Sequence, residues 1–347
     1  MSRRTLGPAV LLTLLLLSAC AVTPKPSKPV STTGTQSAQA PIGDDGGAPV
    51  VPVTTPPKVM PPLAEPPPAV EIVIPPPKIA LVLGGGAARG FAHVGVIKVL
   101  ESQQLKPSIL VGTSAGSVVA ALNAAGFGGF DLQRRALDLD EKAVSDWALP
   151  NRGFIKGESL QNYINEAVHG RPIEQLAVPL GVVATDLRTG EPIVFRRGNT
   201  GMAVRASSSV PGVFQPVTIQ GREFVDGGLT SPVPVKAARD MGADIVIAVD
   251  ISKNPLRSRV EGTIDVLLQT FLIMGRAIAA QEMLAADVVI SPATDELTTA
   301  SFESRNLAIL EGERAALAAV PKIRQKIAER EERLHREALL RAGARPQ

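Results

Sequence analysis

From residue 78 onward the apolar positions of this chain fall into two alternating rhythms. Short continuous apolar runs at 79–83, 109–111, 179–184, 192–195, 245–250 and 287–290 have the length and composition of buried strands. Between them, residues 91–105, 118–125, 130–147, 157–168 and 232–241 read as helices, with Val94, Ile97 and Leu100 at helical spacing in the first and a proline opening the last. Residues 217–219 and 223–225 predict a hairpin across Gln220-Gly221. The stretch 264–286 is long and apolar, but Gln269, Arg276, Gln281 and Glu282 interrupt it, which predicts a buried helix and not a membrane span. Residues 306–342 are charged and amphipathic, and predict one helix broken near Pro321. Strands alternating with helices predict an α/β domain with a mostly parallel sheet.

The first 77 residues follow neither rhythm. Arg3 and Arg4 precede an apolar run at 9–17 that is too short to cross a bilayer, the layout of an export signal. It ends in Leu17-Ser18-Ala19-Cys20, which resembles the lipobox of bacterial lipoproteins. The resemblance implies removal of residues 1–19 and lipidation of Cys20. With Ala21 and not an aspartate next, it implies sorting to the outer membrane, with the domain facing the periplasm. The alternative, a plain secretory signal cut after Ala19, leaves Cys20 as a free thiol. Prolines crowd residues 20–77, which predicts an extended tether reaching on the order of 100–170 Å at about 3.1 Å per residue. The expected organisation is a signal at 1–19, a tether at 20–77, a catalytic domain at 78–303 and a charged helical extension at 304–347.

Composition narrows the chemistry. The 347 residues contain 3% aromatics, so the core must rest on Ala, Val, Leu and Ile. A formal net charge of +3, with no basic run interleaved with aromatics, gives no case for nucleic acid as a partner. One cysteine excludes an internal disulfide and a cysteine metal cluster, and His93, His169 and His335 lack ligand spacing, so neither metal nor cofactor is expected.

Three polar loops follow predicted strands. The first, Gly84-Gly85-Gly86-Ala87-Ala88-Arg89-Gly90, has Arg89 where a dinucleotide fingerprint needs glycine, and it lacks the Gly-Lys-Ser/Thr of a P-loop. What remains is a loop of unhindered N–H groups at a helix start, suited to an anion. The second, Gly112-Thr113-Ser114-Ala115-Gly116, sets a serine between strand and helix, where flanking glycines let a nucleophile stand on a strained turn. An ordinary strand-to-helix turn is the alternative. The third is Asp226-Gly227-Gly228. In open α/β sheets the carboxyl ends of strands form the ligand-binding rim, and these loops would share it.

Gly-Gly-Gly-x-x-Arg-Gly, Gly-Thr-Ser-Ala-Gly, the block Ala206-Ser207-Ser208-Ser209-Val210-Pro211-Gly212-Val213-Phe214 and Asp-Gly-Gly, in that order, resemble the patatin-like phospholipase family. Residues 243–250 are similar to its bacterial branch. The resemblance spans about residues 78–250 and implies a three-layer α/β/α domain with a mostly parallel central sheet. It implies a serine acyl hydrolase acting on phospholipid or another acyl ester, with Ser114 as nucleophile and Asp226 as its base. It further implies an oxyanion loop at Gly84, Gly85 and Gly86, with Ala115 and Arg89 as further candidates. Arg89 reads equally as a structural anchor of that loop.

Two other readings stay open. A Ser-His-Asp hydrolase would need a histidine after the acid, for which the sequence offers His335. A non-catalytic lipoprotein would use the same fold for envelope binding. His93 reads as a packing residue, His169 as a helix-end residue, and Asp186 and Asp250 as strand-end turn residues. Trp147, Phe154 and Phe214 are candidates for the rim of an acyl pocket or for the core.

Overall fold

The computed structural model describes residues 74–138, 157–257, 260–295 and 303–341. The signal, the tether, Cys20, Trp147 and Phe154 lie outside the described residues, as does the part of the predicted 130–147 helix beyond Asp138.

Among the described residues eight strands form one sheet: β1 (Ile79–Leu83), β2 (Ile109–Thr113), β3 (Leu180–Asp186), β4 (Pro192–Phe195), β5 (Val217–Ile219), β6 (Arg222–Asp226), β7 (Ile245–Val249) and β8 (Val288–Ile290). Its order is β5-β6-β3-β2-β1-β7-β8, with β4 also paired to β3. The five strands β3, β2, β1, β7 and β8 run parallel, and β4, β5 and β6 pair antiparallel. Parallel strands are covered on both faces, which is why β1, β2, β3 and β7 are apolar runs and not alternating ones.

On one side α1 (Phe91–Ser102), α2 (Ala115–Ala124), α3 (Gly129–Asp138), α4 (Glu158–Ala167) and α5 (Thr200–Ser207) build around Leu81, Leu83, Leu110 and Val182. On the other, α6 (Val235–Asp240) and α7 (Thr263–Met283) build around Ala80, Val82, Val111 and Val246. The last helix, α8 (Glu303–Arg341), packs along α1.

Three elements differ from the sequence pattern, each for a physical reason. The predicted 232–241 helix begins at Val235, because its N-cap Pro234, at φ −74 and ψ 59, lies outside the helical region. The predicted break at Pro321 is absent. Val320 and Ile323 on either side are buried, and that packing carries the helix past the missing N–H. The helix expected to be buried, α7, buries only Gly275 and Ala279, and Val266, Leu267, Ile273 and Met274 stand about half exposed along it.

The terminal helix reaches the core through two glycines. A Cβ on Gly95 would lie 2.0 Å from the Ile309 carbonyl oxygen, and one on Gly312 would lie 2.0 Å from that of Ala92. Backbone therefore meets backbone where α1 crosses α8, and Ala308, Ile309, Ala316 and Ile323 join the core. Lys98 and Glu313 form an ion pair at the same crossing. Adding a methyl there forces the helices apart. Gly312→Ala is expected to lower the unfolding free energy by roughly 1–3 kcal/mol, read by urea denaturation, and Gly95→Ala by a similar amount. Exposed Gly242→Asn, at φ 91, is the control and should cost less.

Candidate active site

The turn after β2 is strained by design of the packing around it. Ser114 holds φ 52 and ψ −125, a conformation that residues with side chains seldom adopt. The chain can turn this sharply because Gly112 and Gly116 have no Cβ. One on Gly112 would lie 2.6 Å from the Gly116 carbonyl oxygen, and one on Gly116 would lie 2.0 Å from that of Leu83. The Ser114 N–H donates to Ser207 Oγ at 2.8 Å, and Ser207 in turn donates to the Val183 carbonyl at 2.5 Å. Thr113 Oγ1 donates to the Ser231 carbonyl at 2.8 Å. Partners on α5, on β3 and in the segment at Ser231 thus fix one turn.

Sheet register brings Asp226 to it. Thr113 pairs with Val183, and the next residue of β3, Ala184, pairs with Asp226 on antiparallel β6. The aspartate therefore arrives at the end of antiparallel β6, the second strand of the hairpin that the sequence pattern predicts. Ser114 Oγ donates to Asp226 Oδ2 at 2.6 Å, and the Gly228 N–H donates to Oδ1 at 2.7 Å. Asp226 is 1% exposed. Burial pushes its carboxyl up to about 6, against the lowering effect of the hydrogen bonds from Ser114 and Gly228. Gly227 permits the approach, since a Cβ there would lie 2.3 Å from the Val183 carbonyl oxygen.

The glycine loop lies across the serine turn, with the Cβ position of Gly85 3.3 Å from Ser114 Cβ. Its N–H groups are not all open. Gly84 donates to the Val249 carbonyl and Gly85 to the Pro232 carbonyl, both at 3.0 Å, so these two predicted oxyanion donors are already engaged. The N–H groups of Gly86 and Ala115 have no protein acceptor among the described residues. Arg89 is buried, and its Nε donates to the Ile251 carbonyl at 2.7 Å, which anchors the far side of the loop. Burial lowers its guanidinium to about 10, opposed by Asp295 and Asp250.

The remaining candidates take structural positions. Asp186 accepts from the Thr189 and Arg188 N–H groups and pairs with Arg222, and these contacts, Thr189 first, hold its carboxyl down at about 2. Asp250 accepts from the Ser252 N–H at 2.9 Å and closes a turn. Phe214 lies beside Gly157. His169 sits just past the end of α4 at φ 55, and His335 is exposed on the outer part of α8. Among the described residues no histidine is hydrogen-bonded to Ser114 or Asp226.

Two residues of the site escaped the sequence pattern. Ser207 is one of three consecutive serines, and only the fold selects which of them meets the Ser114 N–H. Glu282, on α7, accepts from Ser231 Oγ and, at 2.8 Å, from the Val233 N–H. It thereby clamps the segment whose carbonyls hold Thr113 and Gly85. Burial raises its carboxyl to about 7, with both donors opposing.

A family model described as patatin-like phospholipase matches residues 81–239. That span runs from β1 through the glycine loop, the serine turn and Asp226 to α6. Residues 81–239 thus match the patatin-like phospholipase family. An uncharacterised NTE family protein of Mycobacterium bovis is 35% identical over 176 residues, covering 50% of this chain and 49% of the relative. Patatin-like phospholipase domain-containing protein 6 of Homo sapiens is 34% identical over 180 residues, covering 50% of this chain and 13% of that protein. The chain thus matches about half of the mycobacterial relative's length and a small part of the human one. Among solved structures, VipD from Legionella pneumophila is 14% identical, covering 74% of this chain and 67% of that one at a TM-score of 0.48. The patatin-like domain has the mixed, mostly parallel sheet with helices on both faces that its sequence predicts.

His93 links α1 to the loop. It is fully buried, its Nε2–H donates to the Gly84 carbonyl at 2.8 Å, and its Nδ1 has no partner. Burial lowers its pKa from 6.5 to about 4, so it stays neutral in the folded chain. The sign follows directly. Between pH 6.5 and 4 the unfolded chain binds a proton that the native chain refuses, so stability is lost as pH falls through that window, by up to roughly 3 kcal/mol. His93→Gln removes this titration. Its stability difference from wild type, measured by denaturant unfolding, should shrink between pH 7 and pH 4.5.

Proposed function

We propose that this chain is a serine acyl hydrolase of lipid esters, of the phospholipase A, lysophospholipase or esterase type, working through a Ser114–Asp226 dyad. The observation that carries the proposal is the 2.6 Å hydrogen bond from Ser114 Oγ to a buried aspartate whose carboxyl is raised to about 6. A carboxylate at its ordinary pKa is a poor base for a serine hydroxyl, and burial makes this one stronger.

In the proposed cycle Asp226 Oδ2 takes the hydroxyl proton as Ser114 Oγ bonds to the ester carbonyl carbon. The carbonyl electrons move to its oxygen, which the Gly86 and Ala115 N–H groups and the N-terminus of α2 stabilise. Collapse breaks the ester C–O bond, and Asp226 returns the proton to the leaving alcohol. Water then attacks the acyl-enzyme with Asp226 again as base, releasing the acid and restoring Ser114. Gly84 and Gly85 shape this loop through their carbonyl partners, and Arg89 and His93 position it without touching the reacting atoms. We further propose that Cys20 is lipidated and that the domain works from the outer membrane, facing the periplasm.

Ser114→Ala should abolish turnover of a short acyl ester and labelling by a fluorophosphonate. Asp226→Asn keeps size but cannot take the proton, and kcat should fall by roughly 10²–10⁴. Because Asp226 acts as the anion, kcat/KM should drop about tenfold per pH unit below its value of about 6 and level off above it. A folded Asp226→Asn enzyme with full activity would remove the dyad. For the anchor, Cys20→Ser should move the protein from the membrane to the soluble fraction of fractionated cells, with its activity intact.

A further inference from the structure

The proposed reaction leaves one large feature without a role, the outer face of α7. Its exposed positions include Val266, Leu267, Ile273 and Met274, each about half exposed, and only Arg276 among the exposed positions is charged. Thr270, on the same face, donates its hydroxyl to the Val266 carbonyl at 2.8 Å. That bond satisfies the hydroxyl within the helix and removes its need for water. A contiguous apolar face of this kind on a folded chain marks a surface that meets something apolar.

Its position tells what. The inner face of α7 borders the dyad: the Phe271 ring lies 2.9 Å from the Cβ position of Gly228, whose N–H holds Asp226. At the helix start, Gln269 Nε2 donates to the Pro255 carbonyl at 2.8 Å and ties α7 to a short turn, Pro255–Arg257. Leu256 on that turn is 91% exposed. An apolar face with a protruding leucine, beside the proposed lipid-ester site, matches the acyl layer of a bilayer.

We propose that the outer face of α7, together with Leu256, is the surface by which this domain seats on a lipid bilayer, so that an acyl ester leaves the membrane beside the dyad. The proposal rests on the lipid acyl hydrolase function proposed above. α7 lies on the surface with its inner face kept against the domain by Glu282 and Phe271, and does not cross the bilayer. The outer side chains contribute to docking and not to the chemical step.

The test uses the full chain carrying Cys20→Ser, so that no acyl anchor contributes, with and without Val266→Glu plus Ile273→Glu. Flotation with phosphatidylcholine vesicles containing phosphatidylglycerol reads binding. Hydrolysis of a soluble short acyl ester and of vesicle phospholipid reads the two stages of activity. The expected result is that the double variant loses at least about tenfold in vesicle binding and in vesicle hydrolysis, with soluble-ester turnover retained. Leu256→Ser, remote from any packed core, should weaken vesicle binding in the same direction and guards against a folding artefact. Unchanged vesicle binding in the folded variants overturns the proposal. So does a shift from dimer to monomer by light scattering with vesicle binding unchanged, which would make the face a contact between copies. If neither ester is hydrolysed by the parent chain while the variants still lose vesicle binding, the docking surface stands and the proposed reaction falls.

Discussion

A carboxylate that has lost its water must either take up a proton or stand next to one it can share. Asp226 is in that position, with two donors, Ser114 Oγ and the Gly228 N–H, in place of solvent. Its raised pKa and its contact with the serine are two sides of one desolvation. Much of the surrounding architecture keeps that carboxyl dry and that serine within reach. The register of β3 with β2 and β6 sets the distance, Ser207 and Thr113 hold the turn, and Gly227 lets backbone close over the sheet.

Two supports reach the glycine loop from opposite sides of the sheet. On one side α8 presses against α1 through Gly95 and Gly312, and α1 carries His93 to the Gly84 carbonyl. On the other side α7 presents Glu282 to the 231–233 segment, whose carbonyls receive Gly85 and Thr113. The loop is thus fixed by its carbonyl and N–H partners before any ligand is present. Donors held in place need little reorganisation when charge develops on an oxygen, which is where such groups contribute most to rate.

The same helix that clamps the loop leaves its other face apolar and open. A buried polar clamp on one side and unpartnered valine, leucine, isoleucine and methionine on the other give α7 two separate tasks. Hydropathy summed along the helix merges the two faces. That is why the stretch reads from sequence as interior, and why its length and apolar content also satisfy the requirement for a membrane span.

By itself the sequence determined what short-range chemistry controls. Continuous apolar runs and helical spacing gave the α/β class, because a strand covered on both faces must be apolar throughout. The glycines around Ser114 gave the turn, because only residues without Cβ fit there, and the order of motifs named the family. Tertiary structure decided whatever depends on partners distant in the chain. The hairpin that carries Asp226 was legible in the sequence, but its pairing with β3, which sets Asp226 beside the serine turn, was not. Gly84 and Gly85 give their N–H groups to carbonyls from residues 249 and 232, so their place in the loop differs from that of Gly86. Ser207 is distinguished from its serine neighbours, and Glu282 from any helical glutamate, only by what folds against them. A hydrogen bond between residues far apart leaves no periodic trace in composition, and which face of α7 meets the core is fixed by the sheet it lies on.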